Sequence, residues 1–319
     1  MFKKHLIPTL MASLCAASSA QAQVALIAKG SLSGAYQDLS ARTAAPLENG
    51  VAGNRLGGMG SGIAYAGGST FLMVPDRGPN AVPFDSAIDD TSSFIARIQT
   101  LSLRLAPAAA DSGTDLPFVL TPILRHTTLL HSDTPLVYGS GAGLGVSSGA
   151  PALNEDDHTF YFTGRSDNYN PATPSDDPRD ARLDPESIRV SRDGRSAFIS
   201  DEYGPHIYEF DRATGRRIRA IQLPGSFAVK NQGPTSDAEI SGNTSGRVAN
   251  KGMEGLAITP DGETLVGIMQ SPLIQDGGTN GSVTRLAVIS LRTGAVRQYA
   301  YPLTNIGSAK KPKYPTVSD

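Results

Sequence analysis

The chain has 319 residues, a formal net charge of −2, 34 glycines, 22 prolines and no tryptophan. This length suits one large domain or two small ones, and frequent glycine and proline with only 18% charged residues favour a turn-rich β protein over a helical one. Because charge is nearly balanced and no long basic run occurs, the composition argues against a nucleic-acid-binding protein.

The first 22 residues have the pattern of a secretory signal peptide. Two lysines precede an apolar run, Leu6–Ala17, and Ala20–Ala22 forms a small-x-small cleavage site. The apolar run is too short to span a bilayer, and no later segment is long enough to do so. We therefore expect residues 23–319 to form a single exported domain, periplasmic or secreted, without a membrane span.

The next segment with a strand pattern is residues 61–79. It predicts two strands, the second of which ends at Asp76 and Arg77. Residues 105–117 and 165–182 are rich in Asp, Pro, Ala and Ser, which is typical of loops. A partial copy of the same strand pattern lies between the loops, at 151–167.

Two later segments repeat one pattern more clearly. Each begins with a glutamate, Glu186 or Glu254, and the two glutamates are 68 positions apart. Each glutamate is followed seven residues later by an Asp-Gly turn, at Asp193 and Asp261 respectively. In both segments four short strands joined by tight turns predict an antiparallel meander.

Repeated four-stranded meanders are typical of β-propeller blades. Residues 61–79 fit the repeat when Ile63 is aligned with Ile188, which places Asp76 on Asp201. A β-sandwich also has many short strands and is the alternative, but the matched Glu and Asp-Gly positions favour the propeller. We expect an all-β fold, a β-propeller of about four four-stranded antiparallel blades that is incomplete at its C-terminal end.

The stretches "LDPESIRVSRDGRSAFISDEYGPHIYEFD" and "NKGMEGLAITPDG" resemble the phytase-like family that is described as having esterase-like activity of phytase. The resemblance runs from about Leu56 to the last residue. It implies a secreted or periplasmic propeller with a phosphoesterase role. The chain differs from the family pattern in having Ser187 where a glycine usually follows the glutamate, and we expect it to lack the C-terminal blades with which that pattern continues.

The repeated glutamates predict a metal site. In a propeller the first strand of each blade lines the central channel, so glutamates at two strand starts converge although they are distant in sequence. Close carboxylates repel one another, and a cation relieves that repulsion. Oxygen ligands of this kind suit Ca²⁺. The predicted Ca²⁺ ligands are Glu186, Glu254, Asp76, Asp201 and Glu202.

The predicted catalytic residues are Glu186, Glu254 and Arg77. The ion polarises a phosphate or carboxylic ester, a carboxylate takes the proton of the attacking water, and Arg77 holds an anionic substrate. The alternative is a non-catalytic propeller, with structural Ca²⁺, that binds a small ligand or a protein; a truncated product with little function is a third possibility. We expect a monomer.

Other chemistries have less support in the sequence. The only cysteine, Cys15, lies in the predicted signal peptide, and histidines are few, which argues against zinc. The stretch "GVSSG", Gly145–Gly149, matches the G-x-S-x-G expression of serine hydrolases. Because that motif needs a strand before it and a helix after it, and this one lies in a glycine-serine stretch, we interpret it as a loop.

Overall fold

The computed structural model describes residues 24–81, 91–138, 155–166, 175–233 and 236–318. The predicted signal peptide (1–22) and the "GVSSG" stretch (145–149) lie outside the described residues, as does part of the partial repeat at 151–167. Within the described residues no helix is long and apolar enough to cross a membrane.

The protein is all-β, as predicted. Three antiparallel sheets have four strands each, and the strands within each sheet follow one another in chain order. The first sheet contains β1 (Met59–Tyr65), β2 (Thr70–Pro75), β3 (Arg97–Pro107) and β4 (Phe118–Leu129). The second contains β8 (Pro185–Val190), β9 (Ser196–Asp201), β10 (His206–Asp211) and β11 (Arg217–Gln222). The third contains β12 (Met253–Ile258), β13 (Thr264–Met269), β14 (Val283–Ser290) and β15 (Val296–Pro302).

A smaller sheet and a few short helices complete the described fold. The described part of the partial repeat supplies two strands, β6 and β7, of a three-stranded sheet in the order β5-β7-β6. Its strands are β5 (His131–Ser132), β6 (Glu155–Asp156) and β7 (Thr159–Tyr161). The helices are α1 (Ser236–Gly242) and the 3-10 turns Ala41–Thr43, Gly225–Phe227, Ile274–Asp276 and Gly278–Asn280.

The second sheet is buried on both faces. The side chains of strand β9 alternate between its two faces: Ala197 and Ile199 pack into a core cluster shared with the first and the three-stranded sheets. Phe198, on the opposite face, packs into a cluster shared with the third sheet. The last strands are the most exposed, since every residue of β15 after Val296 is exposed to solvent. Two hydrophobic layers therefore hold the sheets face to face.

The first strands of the three four-stranded sheets lie beside one another. Strand β8 contacts both β1 and β12. The contact between β1 and β8 is close enough to need a glycine, because a Cβ on Gly62 would lie 2.8 Å from the Cα of Ser187. Residues at the starts of these strands are thereby brought together.

The two Asp-Gly turns have matching hydrogen bonds, which confirms their assignment as turns. Asp193 Oδ1 accepts hydrogen bonds from the backbone N–H of Arg195 and from the Ser191 hydroxyl. Asp261 Oδ1 accepts the equivalent pair from Glu263 and Thr259. Both aspartates are therefore turn residues.

Candidate carboxylate site

Strand pairing shows which site residues are equivalent. Met59 pairs with Pro75, Pro185 with Asp201, and Met253 with Met269, each at the same corner of its sheet. The residue after the first member of each pair is Gly60, Glu186 and Glu254 in turn. The residue after the second member is Asp76, Glu202 and Gln270 in turn. Asp76 is thus equivalent to Glu202. The sequence alignment that placed Asp76 on Asp201 is wrong by one residue at this position.

Five carboxylates meet at this corner of the described structure. They form two groups with possible ligand atoms within 4.8 Å of one another, and both groups contain Glu186. The first group is Asp76, Asp184 and Glu186, and the second is Glu186, Glu202 and Glu254. We call these five residues the carboxylate cluster. The cluster draws on all three four-stranded sheets, so distant parts of the chain supply one site.

Arg77 is bound to the cluster by several contacts. Its backbone N–H donates to Asp184 Oδ1 at 3.1 Å, and its Nη1 donates to Asp184 Oδ2 at 2.9 Å. Nη1 also donates to the side chain of Asn250 and lies 3.9 Å from Glu202 Oε2. Burial by itself lowers the pKa of Arg77, yet nearby Tyr203 and Asp184 raise it above its ordinary value. Arg77 is therefore a fixed cation that orients Asp184.

Gly252 connects Glu202 to the third sheet. Its N–H donates to Glu202 Oε1 at 3.0 Å, and its carbonyl accepts from the N–H of Gln270 at 2.8 Å. A Cβ on Gly252 would lie 2.2 Å from the backbone oxygen of Glu202. Only glycine allows this approach, which explains the glycine in "NKGMEG".

The electrostatics of the cluster favour a bound cation. Burial, with repulsion from Asp184 and Glu202, raises the pKa of Glu186 well above its ordinary value. Burial and Asp184 also raise the pKa of Glu202 and of Asp76. Carboxylates held this close in a partly dry environment must bind either protons or a cation near neutral pH.

A buried oxygen atom of the cluster, Asp76 Oδ1, accepts no hydrogen bond and lies 3.9 Å from Nη1 of Arg77. A second such oxygen, Gln270 Oε1, belongs to the residue that takes the strand position of Asp76 and Glu202 in the third sheet. An oxygen that is buried without a partner is costly, and a cation would satisfy it. Because every candidate ligand is an oxygen atom, the donor set fits Ca²⁺, which takes about 6–8 oxygen ligands.

Asp201 is in a different environment from the cluster and belongs to neither group of possible ligands. Its Oδ1 accepts the backbone N–H of Asp184 at 3.1 Å and that of Tyr203 at 3.0 Å. Its Oδ2 accepts the N–H of Gly204 at 3.1 Å. Burial raises the pKa of Asp201 to about 7, against the lowering effect of these bonds. The contacts describe a carboxylate that holds the backbone around the site.

The structure thus brings together four of the five predicted ligands, with Arg77 beside them. Glu186, Glu254, Asp76 and Glu202 are in the cluster. Asp184 was not among the predicted ligands, although its signal was present: it precedes Glu186 by two residues, and residues two apart in an extended segment face the same side.

Comparison with known proteins identifies relatives of this chain. The sequence model of the phytase-like family, described as "Esterase-like activity of phytase", matches residues 54–318. An uncharacterized secreted protein of Arthroderma benhamiae is 30% identical over 258 residues, which are 71% of this chain and 46% of that protein. The chain therefore spans about half the length of this curated relative.

Two solved structures are also similar to part of the chain. Hydrazine synthase of Kuenenia stuttgartiensis is 12% identical, with a TM-score of 0.31, over 76% of this chain and 49% of that chain. A putative 6-phosphogluconolactonase from Bacteroides uniformis is 14% identical, with a TM-score of 0.24, over 77% of this chain and 72% of that chain. TM-scores this low carry no argument about fold or function.

Proposed function

The chain belongs to the phytase-like family with esterase-like activity of phytase, and on this basis we propose that it is an exported hydrolase of phosphate or carboxylic esters. The observation that carries the proposal is the convergence of five carboxylates, one with a buried oxygen that accepts no hydrogen bond. Export, to the periplasm or the exterior, is supported by the signal-like start of the sequence and by a relative that is named a secreted protein.

The architecture we propose is a β-propeller. Three four-stranded antiparallel sheets follow one another in the chain, and their first strands lie side by side. Their faces pack against one another through two hydrophobic clusters. This arrangement supports blades around an axis, with the carboxylate cluster at the start of the axial strands.

The cofactor we propose is Ca²⁺. The residues that would hold it are the five members of the carboxylate cluster, with Gln270 as a further oxygen donor. A bound Ca²⁺ would polarise the ester oxygen and make a water molecule more acidic. Arg77 would keep Asp184 in place, since it donates two hydrogen bonds to that carboxylate. Direct contact between Arg77 and an anionic substrate stays a prediction.

The proton acceptor in this mechanism is a glutamate of the cluster, Glu186 or Glu254. Both glutamates belong to the cluster that would hold the ion, so a carboxylate of either would lie close to a water molecule bound there. In the hydrolysis a water oxygen bonds to phosphorus or to the acyl carbon, and the bond to the ester oxygen breaks. The proton that the glutamate removes from the water is passed to the leaving alcohol, so the carboxylate is regenerated.

The test is hydrolysis of p-nitrophenyl phosphate and p-nitrophenyl acetate, with Ca²⁺ and with chelator. We compare the wild type with Glu254→Gln and with Glu263→Gln, a control in which the substituted glutamate is exposed in the β12–β13 turn. Loss of a catalytic base costs about 10²–10⁴-fold in rate, so Glu254→Gln and chelation should each abolish most turnover while Glu263→Gln retains it. Equal rates under all these conditions would refute the mechanism.

A second candidate is a non-catalytic propeller in which Ca²⁺ stabilises the fold. It is favoured by the fact that the cluster joins all three four-stranded sheets, so a bound cation would hold them together. In that case chelation lowers the melting temperature and no ester is hydrolysed. Metal-dependent turnover in the assay above would exclude this candidate.

A further inference from the structure

A cavity of about 390 Å³ lies beside the carboxylate cluster. Its walls include the apolar side chains of Leu47, Val51, Leu56 and Phe94. Among the described residues that line it, the charged ones are Asp76 and Arg55. The volume is within the range of pockets that bind small organic molecules, and a mainly apolar lining with a few polar groups is characteristic of such pockets.

Asp76 belongs to both the cavity and the cluster. It lines the cavity, and its carboxylate lies within 4.8 Å of possible ligand atoms of Asp184 and Glu186. The buried Oδ1 of Asp76 accepts no hydrogen bond. A molecule seated in the cavity would therefore place one end next to the carboxylates that we propose to be catalytic.

The walls of the cavity are held in place by their own contacts. The turn that carries Val51 is closed by a hydrogen bond of 2.8 Å from the Leu47 N–H to the Val51 carbonyl. Leu56 is 3% exposed, and its N–H donates to the carbonyl of Tyr36. The ring of Phe94 packs against the guanidinium of Arg97, whose Cζ lies 3.9 Å from the centre of the ring. A cavity fixed in this way loses little entropy when a ligand binds.

Charge at the site selects against polyanions. The cluster has five carboxylates, and Arg77 is paired with Asp184 among them. Even with a divalent cation bound, carboxylates outnumber cations, and a ligand with many phosphates would be repelled. An apolar group gains free energy by leaving water for the walls of the cavity.

We infer that this cavity binds the apolar acyl or aryl group of a small ester that carries at most one phosphate. The substrate class is thus a compact apolar monoester, not a polyphosphorylated sugar such as inositol hexakisphosphate. The catalytic part of this inference depends on the proposed function, whereas binding to the cavity does not.

Binding is tested with phenylphosphonate, a non-hydrolysable aryl probe, and with inositol hexakisphosphate, each titrated calorimetrically into the protein in the presence of Ca²⁺. Val51 is 38% exposed at the cavity, so Val51→Trp fills the cavity from a position where a larger side chain is tolerated. Leu105→Trp is the matched control, because Leu105 is 50% exposed on β3 and does not line the cavity. If Val51→Trp lowers the melting temperature, Ala52→Phe, at the neighbouring wall position, replaces it.

Phenylphosphonate should bind the wild type and Leu105→Trp equally, and bind Val51→Trp at least ten-fold more weakly. It should also bind the wild type at least ten-fold more tightly than inositol hexakisphosphate does. Equal affinity of phenylphosphonate for all three proteins, or tighter binding of inositol hexakisphosphate, overturns the inference.

The proposed hydrolase and the proposed ligand of the cavity are tested separately by measuring turnover. The substrates are p-nitrophenyl butyrate, phenyl phosphate and inositol hexakisphosphate, and the wild type is compared with Val51→Trp. Binding that is sensitive to Val51→Trp, without turnover of any ester, refutes the proposed hydrolase and leaves the cavity assignment standing. Turnover that is fastest with inositol hexakisphosphate and unchanged in Val51→Trp refutes the cavity assignment and leaves the hydrolase standing.

Discussion

His206 should make the stability of the protein depend on pH. It is 1% exposed on β10, and its ring stacks on that of Tyr208 with a centroid distance of 5.3 Å. Burial, with a smaller effect from Arg217, lowers the pKa of His206 from 6.5 to about 4. Since the unfolded chain then binds more protons than the folded chain between these values, stability is full above pH 6.5 and is lost as the pH falls towards 4.

The size of the loss follows from the two pKa values. At pH 4.5 a shift from 6.5 to about 4 corresponds to a loss of roughly 2–3 kcal/mol relative to neutral pH. His206 lines a small cavity together with three aspartates that also titrate: Asp177, Asp180 and Asp201. Burial raises the pKa of Asp180 to about 6 and that of Asp201 to about 7, so these two groups act in the opposite direction. The effect of His206 must therefore be isolated by substitution.

His206→Phe keeps a ring on Tyr208 and cannot be protonated. Urea unfolding of both proteins, followed by circular dichroism in the presence of chelator, gives the free energy of unfolding from pH 7.5 to 4.5. We expect the wild type to lose roughly 2–3 kcal/mol more over this range than His206→Phe does. His126→Phe is the control, since His126 is exposed on β4. Parallel pH curves for the wild type and His206→Phe would refute the argument that His206 is buried as a neutral ring.

Three further predictions concern the cluster. Gly252→Ala should lower the free energy of unfolding, measured with urea, by about 1–3 kcal/mol, because the new Cβ would lie 2.2 Å from the backbone oxygen of Glu202. Gly242→Ala is the control and should not destabilise the protein, because a Cβ there would have nothing within 4 Å. Calcium at 100 times its dissociation constant should stabilise the wild type by about 2.7 kcal/mol, which calorimetry detects as a higher melting temperature. Glu254→Gln should lose most of this stabilisation. Equal stabilisation of both proteins would show that Glu254 is not a ligand. Asp201→Asn should cost about 1–3 kcal/mol through its backbone contacts while calcium binding by titration is unchanged; a large loss of calcium affinity would instead make Asp201 a ligand.

The strand pattern was predictable from the sequence, whereas the register at the site was not. The four-strand meanders after Glu186 and Glu254 and the two Asp-Gly turns are local signals, and the structure confirms them. The register of Asp76 depends on irregular pairing: the pairing shifts between Met59 and Gly62 in β1, and between Pro185 and Ile188 in β8. The shift in β1 is one residue larger than the shift in β8. Because a bulge leaves no mark in the alternation of apolar residues, an alignment of the two segments by sequence misplaces Asp76, which follows β2, by one residue.

Part of the site was also hidden because its contacts are between distant residues. Arg77 is predicted to hold an anionic substrate, and that role stays a prediction; its bond to Asp184, which is 107 positions away, is the part that the sequence did not indicate. Asp184 lies just before β8 begins, where a carboxylate is equally well explained as a surface residue. The approach of β1 and β2 to β8 brings these two residues together, and that approach is set by packing between sheets.

Differences between the three four-stranded sheets distribute the charge of the site unevenly. Where the second and third sheets carry Glu186 and Glu254, the first sheet carries Gly60, which has no side chain to contribute. Where the first and second sheets carry Asp76 and Glu202, the third carries the neutral Gln270. The charge is thus concentrated on the second sheet, and the position without a side chain belongs to the first sheet, two residues from Gly58 in the cavity wall. Gly60 has a φ of 118° within the irregular pairing of β1. Because this backbone conformation favours glycine, the missing side chain follows from the bulge in β1, and the uneven charge follows from the third sheet carrying Gln270.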